Sequence, residues 1–142
     1  MMKIVNGENQ IIGRVSAGVA KQLLKGEEVA IVNCEKLVMS GNIVVLVGKY
    51  EQRRSMRNKI CPENSPSWPR RPDLFVRRIV RGMLPADCSR GRNAFKKLHV
   101  YIGMPEGEMK GEAISFPGTS ADKLETKYHT IQKICDRLGY QR

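Results

Sequence analysis

The stretch FVRRIVRGMLP, Phe75 to Pro85, sets Arg77, Arg78 and Arg81 at helical spacing with no acid among them. On a helical wheel the three arginines share one quadrant, while Phe75, Val76, Ile79, Val80 and Met83 take the arc on the other side. A guanidinium offers a planar fork of donors that grips phosphate oxygens in pairs, which an ammonium cannot do. Three of them on one short face repel each other unless an anion is near, so the face reads as a ligand surface. Asp73 after Pro72 is the predicted N-cap, and Gly82 with Pro85 closes the helix. Met83 is expected to carry the apolar face on into the core.

The next piece, SRGRNAFKKL, adds Arg90, Arg92, Lys96 and Lys97, and its small residues would let a ligand approach the backbone closely. Phe95 and Leu98 are expected to anchor it. Upstream, NKICPENSPSWPRRP (Asn58 to Pro72) carries four prolines, which marks irregular chain rather than an element. It brings Lys59, Arg70, Arg71 and the single tryptophan, Trp68, so phosphate contact is expected along it. Packing is the preferred role of Trp68, with base stacking the alternative.

The chain has 142 residues and a net charge of +11, from 25 Lys and Arg against 14 acids. Between Lys49 and Lys97 stand 14 basic residues and four acids, a local excess of +10 that leaves +1 for the rest. A solubilising surface would be spread more evenly. A concentrated block points to a polyanionic partner.

Chemistry beyond binding is not supported. The glycines at 7, 13 and 18 miss dinucleotide-binding spacing, and no phosphate-binding loop motif occurs. Cys34, Cys61, Cys88 and Cys135 lie far apart, and with His99 and His129 they give no zinc-ligand pairs, so they read as reduced structural thiols. His99 alternates with apolar neighbours and reads as an ordinary strand residue rather than a general base. No catalytic residue, metal ligand, cofactor or small-molecule substrate is therefore assigned. The start MMKIVNGENQ lacks the apolar region of a signal peptide, and the longest apolar run, Ile43 to Val47, is too short to cross a bilayer, so no membrane partner is expected.

These residues need a scaffold. Ile4 and Val5 begin a strand, Asn6–Gly7 a turn, and Val15, Val19, Leu23 and Leu24 a helix ended by Gly26. The run Val29 to Cys34 reads as a strand buried on both faces, parallel to the first by the right-handed crossover preference. NIVVLVGKYEQRRSMRN opens on a valine-rich run that would suit a strand, yet Ile43, Leu46, Val47 and Tyr50 fit one helical face. We take the helix, entered from Ser40–Gly41, because its basic end then carries Arg53, Arg54 and Arg57 without a break. LHVYIG (Leu98 to Gly103) is the last strand expected, Met104 to Thr119 a loop with three glutamates, and TIQKICDRLG a helix capped at Thr130 and ended at Gly139.

The string VRGMLPADCSRGRNAFKKLHVYIG (Val80 to Gly103) resembles the signature of the ribosomal protein L-thirteen family of the large subunit. The matching parts are Gly82-Met83-Leu84-Pro85, then Gly91-Arg92, then Leu98, Val100, Tyr101 and Gly103. The early IIGRVSAGVAKQLLKG and VNCEKLVMSGN are also similar, so the likeness covers most of residues 3 to 103. The length, the basic middle and the ending KYHTIQKICDRLG are most similar to the archaeal and eukaryotic branch.

The resemblance implies a three-layer α/β/α sandwich around a small, mainly parallel four-stranded sheet. It implies one ribosomal-protein domain over 1–142, with a basic RNA-binding region at 49–97 and a C-terminal loop plus helix at 104–142. It further implies a cytoplasmic structural role in the large subunit, binding and organising rRNA, supporting assembly and translation, with neighbouring ribosomal proteins as further partners. RNA contact carries over onto Arg81, Arg90, Arg92, Lys96 and Lys97. For Arg53, Arg54, Arg57, Lys59, Arg70, Arg71, Arg77 and Arg78 it is inferred from charge and helical phase. One departure is Ile43-Val44 after SGN, where the family pattern would have basic or polar residues.

Two other readings use the same surface: an RNA-modifying enzyme on a small α/β fold, and a free translational regulator that binds messenger RNA. A pocket of titratable groups beside the basic face would favour the enzyme.

Overall fold

Two parallel strands, β1 (Met2–Asn6) and β2 (Val29–Val32), are joined by helix α1 (Ile12–Leu24) in a computed structural model that describes residues 2–105 and 111–141. Lys3 to Asn6 pair in register with Val29 to Val32. All four residues of β2 are buried, as a strand covered on both faces requires. Asn33 follows at φ 53°, which turns the chain out of the ladder two residues sooner than the apolar run suggests. Gly26, at φ 94°, ends α1 where expected, because only a residue without a β-carbon takes that conformation cheaply.

The sheet has four strands in the order β4-β2-β1-β5, all parallel, with β4 at Leu98–Val100 and β5 at Gly111–Ala113. The expected α/β class with a small four-stranded sheet is present. LHVYIG forms a shorter strand than its composition suggests. Tyr101 still donates to the Ile31 carbonyl, but Gly103 turns away at φ 71°, its amide held by both carboxylate oxygens of buried Glu35. Nor is it the last strand, since β5 lies within the segment expected to be loop. Glu106 and Glu108 of that loop fall outside the described residues.

A second, antiparallel pair joins β3 (Val38–Ser40) to β6 (Tyr128–Thr130). The remaining helices are α2 (Ile43–Ser55), α3 (Pro72–Arg81), α4 (Ser89–Lys96) and α5 (Ile131–Arg137). Helix α2 settles the ambiguous segment as helix. Asn42 caps it, its side chain accepting from the Val44 amide, while Ile43, Val47 and Tyr50 are buried. Val44 and Val45 are 68% exposed, so the departure from the family pattern leaves valine in solvent. Thr130 caps α5 and Gly139 ends it, both as expected.

The core gathers Val15, Val19 and Leu23 from α1, β2, Phe75, Val76 and Val80 from α3, Leu98, and Ile131 and Ile134 from α5. Each such side chain, fully buried, contributes about 1.5–3 kcal/mol of transfer free energy. Helix α1 packs against α3 and α4, so the sheet fixes the basic elements through α1. Residues 114–121 close over α1: Phe116 lies against Gly18, Arg14 donates to the Gly118 carbonyl, and Ile11 donates to that of Thr119. No helix of the described residues is long and apolar enough to cross a membrane.

Two local expectations are corrected. The N-cap of α3 is Arg71, and Asp73 sits in the first turn, where it pairs with the Arg71 guanidinium at 2.9 Å. Proline at the first helical position needs no amide partner, so that start holds without a side-chain cap. Met83 is 41% exposed and outside the core. The helix stops at Arg81, so the wheel no longer governs Met83, and Leu84 turns inward instead.

Candidate nucleic-acid interface

The basic surface is built by the end of α2, the irregular chain from Asn58 to Arg71, α3, and α4. Its centre is aromatic. Tyr50 lies 4.8 Å from Phe75 and 5.2 Å from Trp68, centroid to centroid, so the proline-rich segment is pinned to the core by its tryptophan. Trp68 packs, as preferred from sequence. Burial raises the Tyr50 phenol above its ordinary value, with Arg53 opposing the rise.

The arginines of this surface do not simply project into solvent. The guanidinium carbons of Arg53 and Arg78 lie 4.9 and 4.5 Å from the Trp68 centroid, and that of Arg77 lies 4.8 Å from Phe95. Arg78 also donates to the Ser67 carbonyl. Each cation–π contact contributes about 0.5–1 kcal/mol at an exposed site. Mutual repulsion along α3 is thus partly offset within the protein, and only Arg81 of the three is exposed.

Four surface depressions adjoin through shared walls. One is lined by Arg54, Arg57 and Trp68; the largest, about 750 Å³, by Tyr50, Arg53, Trp68, Arg78, Arg81 and the turn from Gly82 to Asp87. A third shares Arg78 and Arg81 and adds Arg77, and a fourth shares Arg81 and adds Arg92. Seven of the thirteen expected contact residues are brought together on one furrowed face. Its walls carry only two carboxylates, Glu63 and Asp87.

The others are placed differently. Arg90 and Lys97 donate to the Leu24 and Gly26 carbonyls at the end of α1, 3.2 and 2.6 Å away, where cations suit the helix dipole. Arg70 sits beside Gly139, and Arg71 pairs with Asp73. Lys59 and Lys96 are exposed. Arg54 serves twice, lining its depression while donating to the Leu138 carbonyl behind α5.

The close approach expected at the small residues of α4 is real, but its partner differs. Gly91 is buried against the Pro85 carbonyl, so the chain's own backbone fills the space assigned to a ligand. Sequence reasoning also missed Met83 as a groove wall. The signal was there in Gly82, a stop after which helical phase ceases to predict facing.

The largest groove holds no histidine, cysteine or carboxylate pair. Among the described residues no cluster of three His, Cys, Asp or Glu could hold a metal. Cys34 and Cys135 are buried and free, their thiols pushed up to about 12 by burial. What the geometry offers is fixed positive charge beside aromatic surface.

The described residues form an α/β scaffold that holds an arginine-lined face beside aromatic surface. The family description Ribosomal protein L13 matches residues 1–107, and the chain belongs to that family. It is 47% identical over 140 residues to the large ribosomal subunit protein uL13 of Methanococcus maripaludis, covering 97% of this chain and 98% of that one. The proteins of the same name from Haloarcula marismortui and Methanocaldococcus jannaschii are 42% and 39% identical, over 96% and 97% of this chain and 90% and 98% of theirs. The family is a structural one and not enzymatic, which sets aside the RNA-modifying reading.

Proposed function

We propose that the protein is a structural constituent of the large ribosomal subunit, in the cytoplasm, where it binds and organises rRNA beside neighbouring ribosomal proteins. The observation that carries the interface is the set of joined depressions walled by Arg53, Arg54, Arg57, Arg77, Arg78, Arg81 and Arg92. Arg53, Arg54, Arg77 and Arg78, propped on rings or carbonyls, lose little further freedom when they meet phosphate, so the binding energy is not spent on ordering them. Lys59, Arg70, Arg71 and Lys96 add charge around this face. Arg90 and Lys97 reach RNA with whatever donors the end of α1 leaves them.

Phosphate contacts position the protein on RNA, and A-form grooves hide base edges, so sequence readout is slight. The α/β core keeps the charges at set distances where rRNA helices converge. Sedimentation of the tagged protein from cell extract tests this reading. Co-migration with the large subunit through a moderate-salt wash is expected, and a protein found only in the free fraction would refute it.

A further inference from the structure

We propose that the groove beside Trp68 receives one unstacked nucleotide of the bound RNA, its base against the cation-covered indole and its phosphate on Arg81. The inference rests on the RNA-binding reading and adds what that reading lacks, a place where a base is held. At about 750 Å³ the groove has room for a nucleotide and lies in the size range of small-ligand sites. A duplex would meet it only with backbone, so the occupant is a bulged or looped residue.

The lining divides by chemistry. Arg53 and Arg78 lie over Trp68, and bases stack on guanidinium planes as they do on aromatic rings. Met83, exposed for no reason the fold supplies, sets a polarisable thioether on the same groove, suited to a ring edge. Arg81 is exposed, and its guanidinium makes no hydrogen bond or ion pair among the described residues, which leaves its fork for phosphate. Aromatic, thioether and free guanidinium on one wall fit a nucleotide better than a bare polyanion, which would need no apolar surface.

Trp68 is the only tryptophan, so its fluorescence reports on this groove and on the adjoining depression it shares with Arg54 and Arg57. The Met83 variant tells the two apart, since Met83 lines only the groove. The full chain is titrated with single-stranded hexa-adenylate and with an abasic ribose-phosphate hexamer of the same charge, while filter retention follows its binding to purified large-subunit rRNA. Hexa-adenylate should quench the indole and the abasic hexamer should not. Met83→Ala should weaken hexa-adenylate binding about threefold without affecting the abasic hexamer. Retention of rRNA with no quenching by hexa-adenylate, or with equal quenching by both hexamers, overturns the nucleotide groove and leaves the RNA-binding reading standing. Loss of rRNA retention as well overturns both.

Discussion

Gly91 in α4 lies so close to Pro85 that a β-carbon added to it would stand 1.8 Å from the Pro85 carbonyl oxygen. This contact locks the start of α4 against the turn that follows α3, and so ties two parts of the basic face together. The obstruction is backbone, which cannot swing aside as a side chain can.

Gly91→Ala should therefore destabilise the free protein by about 3 kcal/mol, the upper end of ordinary overpacking. Thermal unfolding followed by circular dichroism checks this. A melting temperature equal to the parent's would show that the turn yields freely, and the rigid coupling of α3 to α4 would be abandoned.

Met83 and Leu84 are adjacent yet opposite in exposure, 41% against 6%. Leu84→Ala should cost about 2–5 kcal/mol through transfer and cavity terms. Met83→Ala should stay within about 0.5 kcal/mol, as surface changes do. Denaturant titration of the two variants decides the facing, and the reverse order would return Met83 to the core.

How much of this was legible in the sequence depends on the range of the interaction involved. The β1-α1-β2 unit and α5 follow from periodicity and local stop signals, such as Gly26 at positive φ and Thr130 at a cap, whereas the valine-rich start of α2 fits strand and helix alike until the fold decides it. The fully buried Val29–Val32 needs no partner to be recognised. By contrast, β5 is three exposed residues, Gly111 to Ala113, whose pairing with Met2 to Ile4 is invisible to local pattern. At the interface, sequence gave charge and helical phase. It could not show that Arg90 and Lys97 reach carbonyls some seventy residues away, or that Gly91 meets Pro85 rather than a ligand.

The four thiols should divide two and two. Cys61 and Cys88 are exposed, while Cys34 and Cys135 are buried with their pKa raised from 9.0 to about 12. A thiol reagent at mildly alkaline pH should label two cysteines quickly in the native protein and four after denaturation. Because the folded pKa lies above the unfolded one, folding favours the neutral thiol. Its stabilising effect is full below pH 9 and declines as pH rises toward 12. A Cys34→Ala, Cys135→Ala variant should lose part of that alkaline decline, read from unfolding midpoints across the window. Rapid labelling of all four thiols in the native state would refute the buried placement.

Arg78 and Arg81 share a helix face but should differ in what they support. Arg78 is half-buried, lies over Trp68 and donates to the Ser67 carbonyl, so it holds the proline-rich segment in place. Arg78→Gln should cost about 1–2 kcal/mol of stability, from one hydrogen bond and one cation–π contact. Arg81 projects into solvent, and Arg81→Gln should leave the melt unchanged within about 0.5 kcal/mol. Its effect belongs to RNA. With about six phosphates neutralised, binding to a large-subunit rRNA fragment should show a log–log salt slope of about −4 to −5. Losing Arg81 should make that slope shallower by about 1 and weaken binding across unrelated RNA sequences alike. A parent slope near zero would dispose of the electrostatic mechanism. An Arg81→Gln protein that unfolds early yet keeps the parent slope would make Arg81 a prop like Arg78, and the phosphate contact would have to be sought elsewhere on the face.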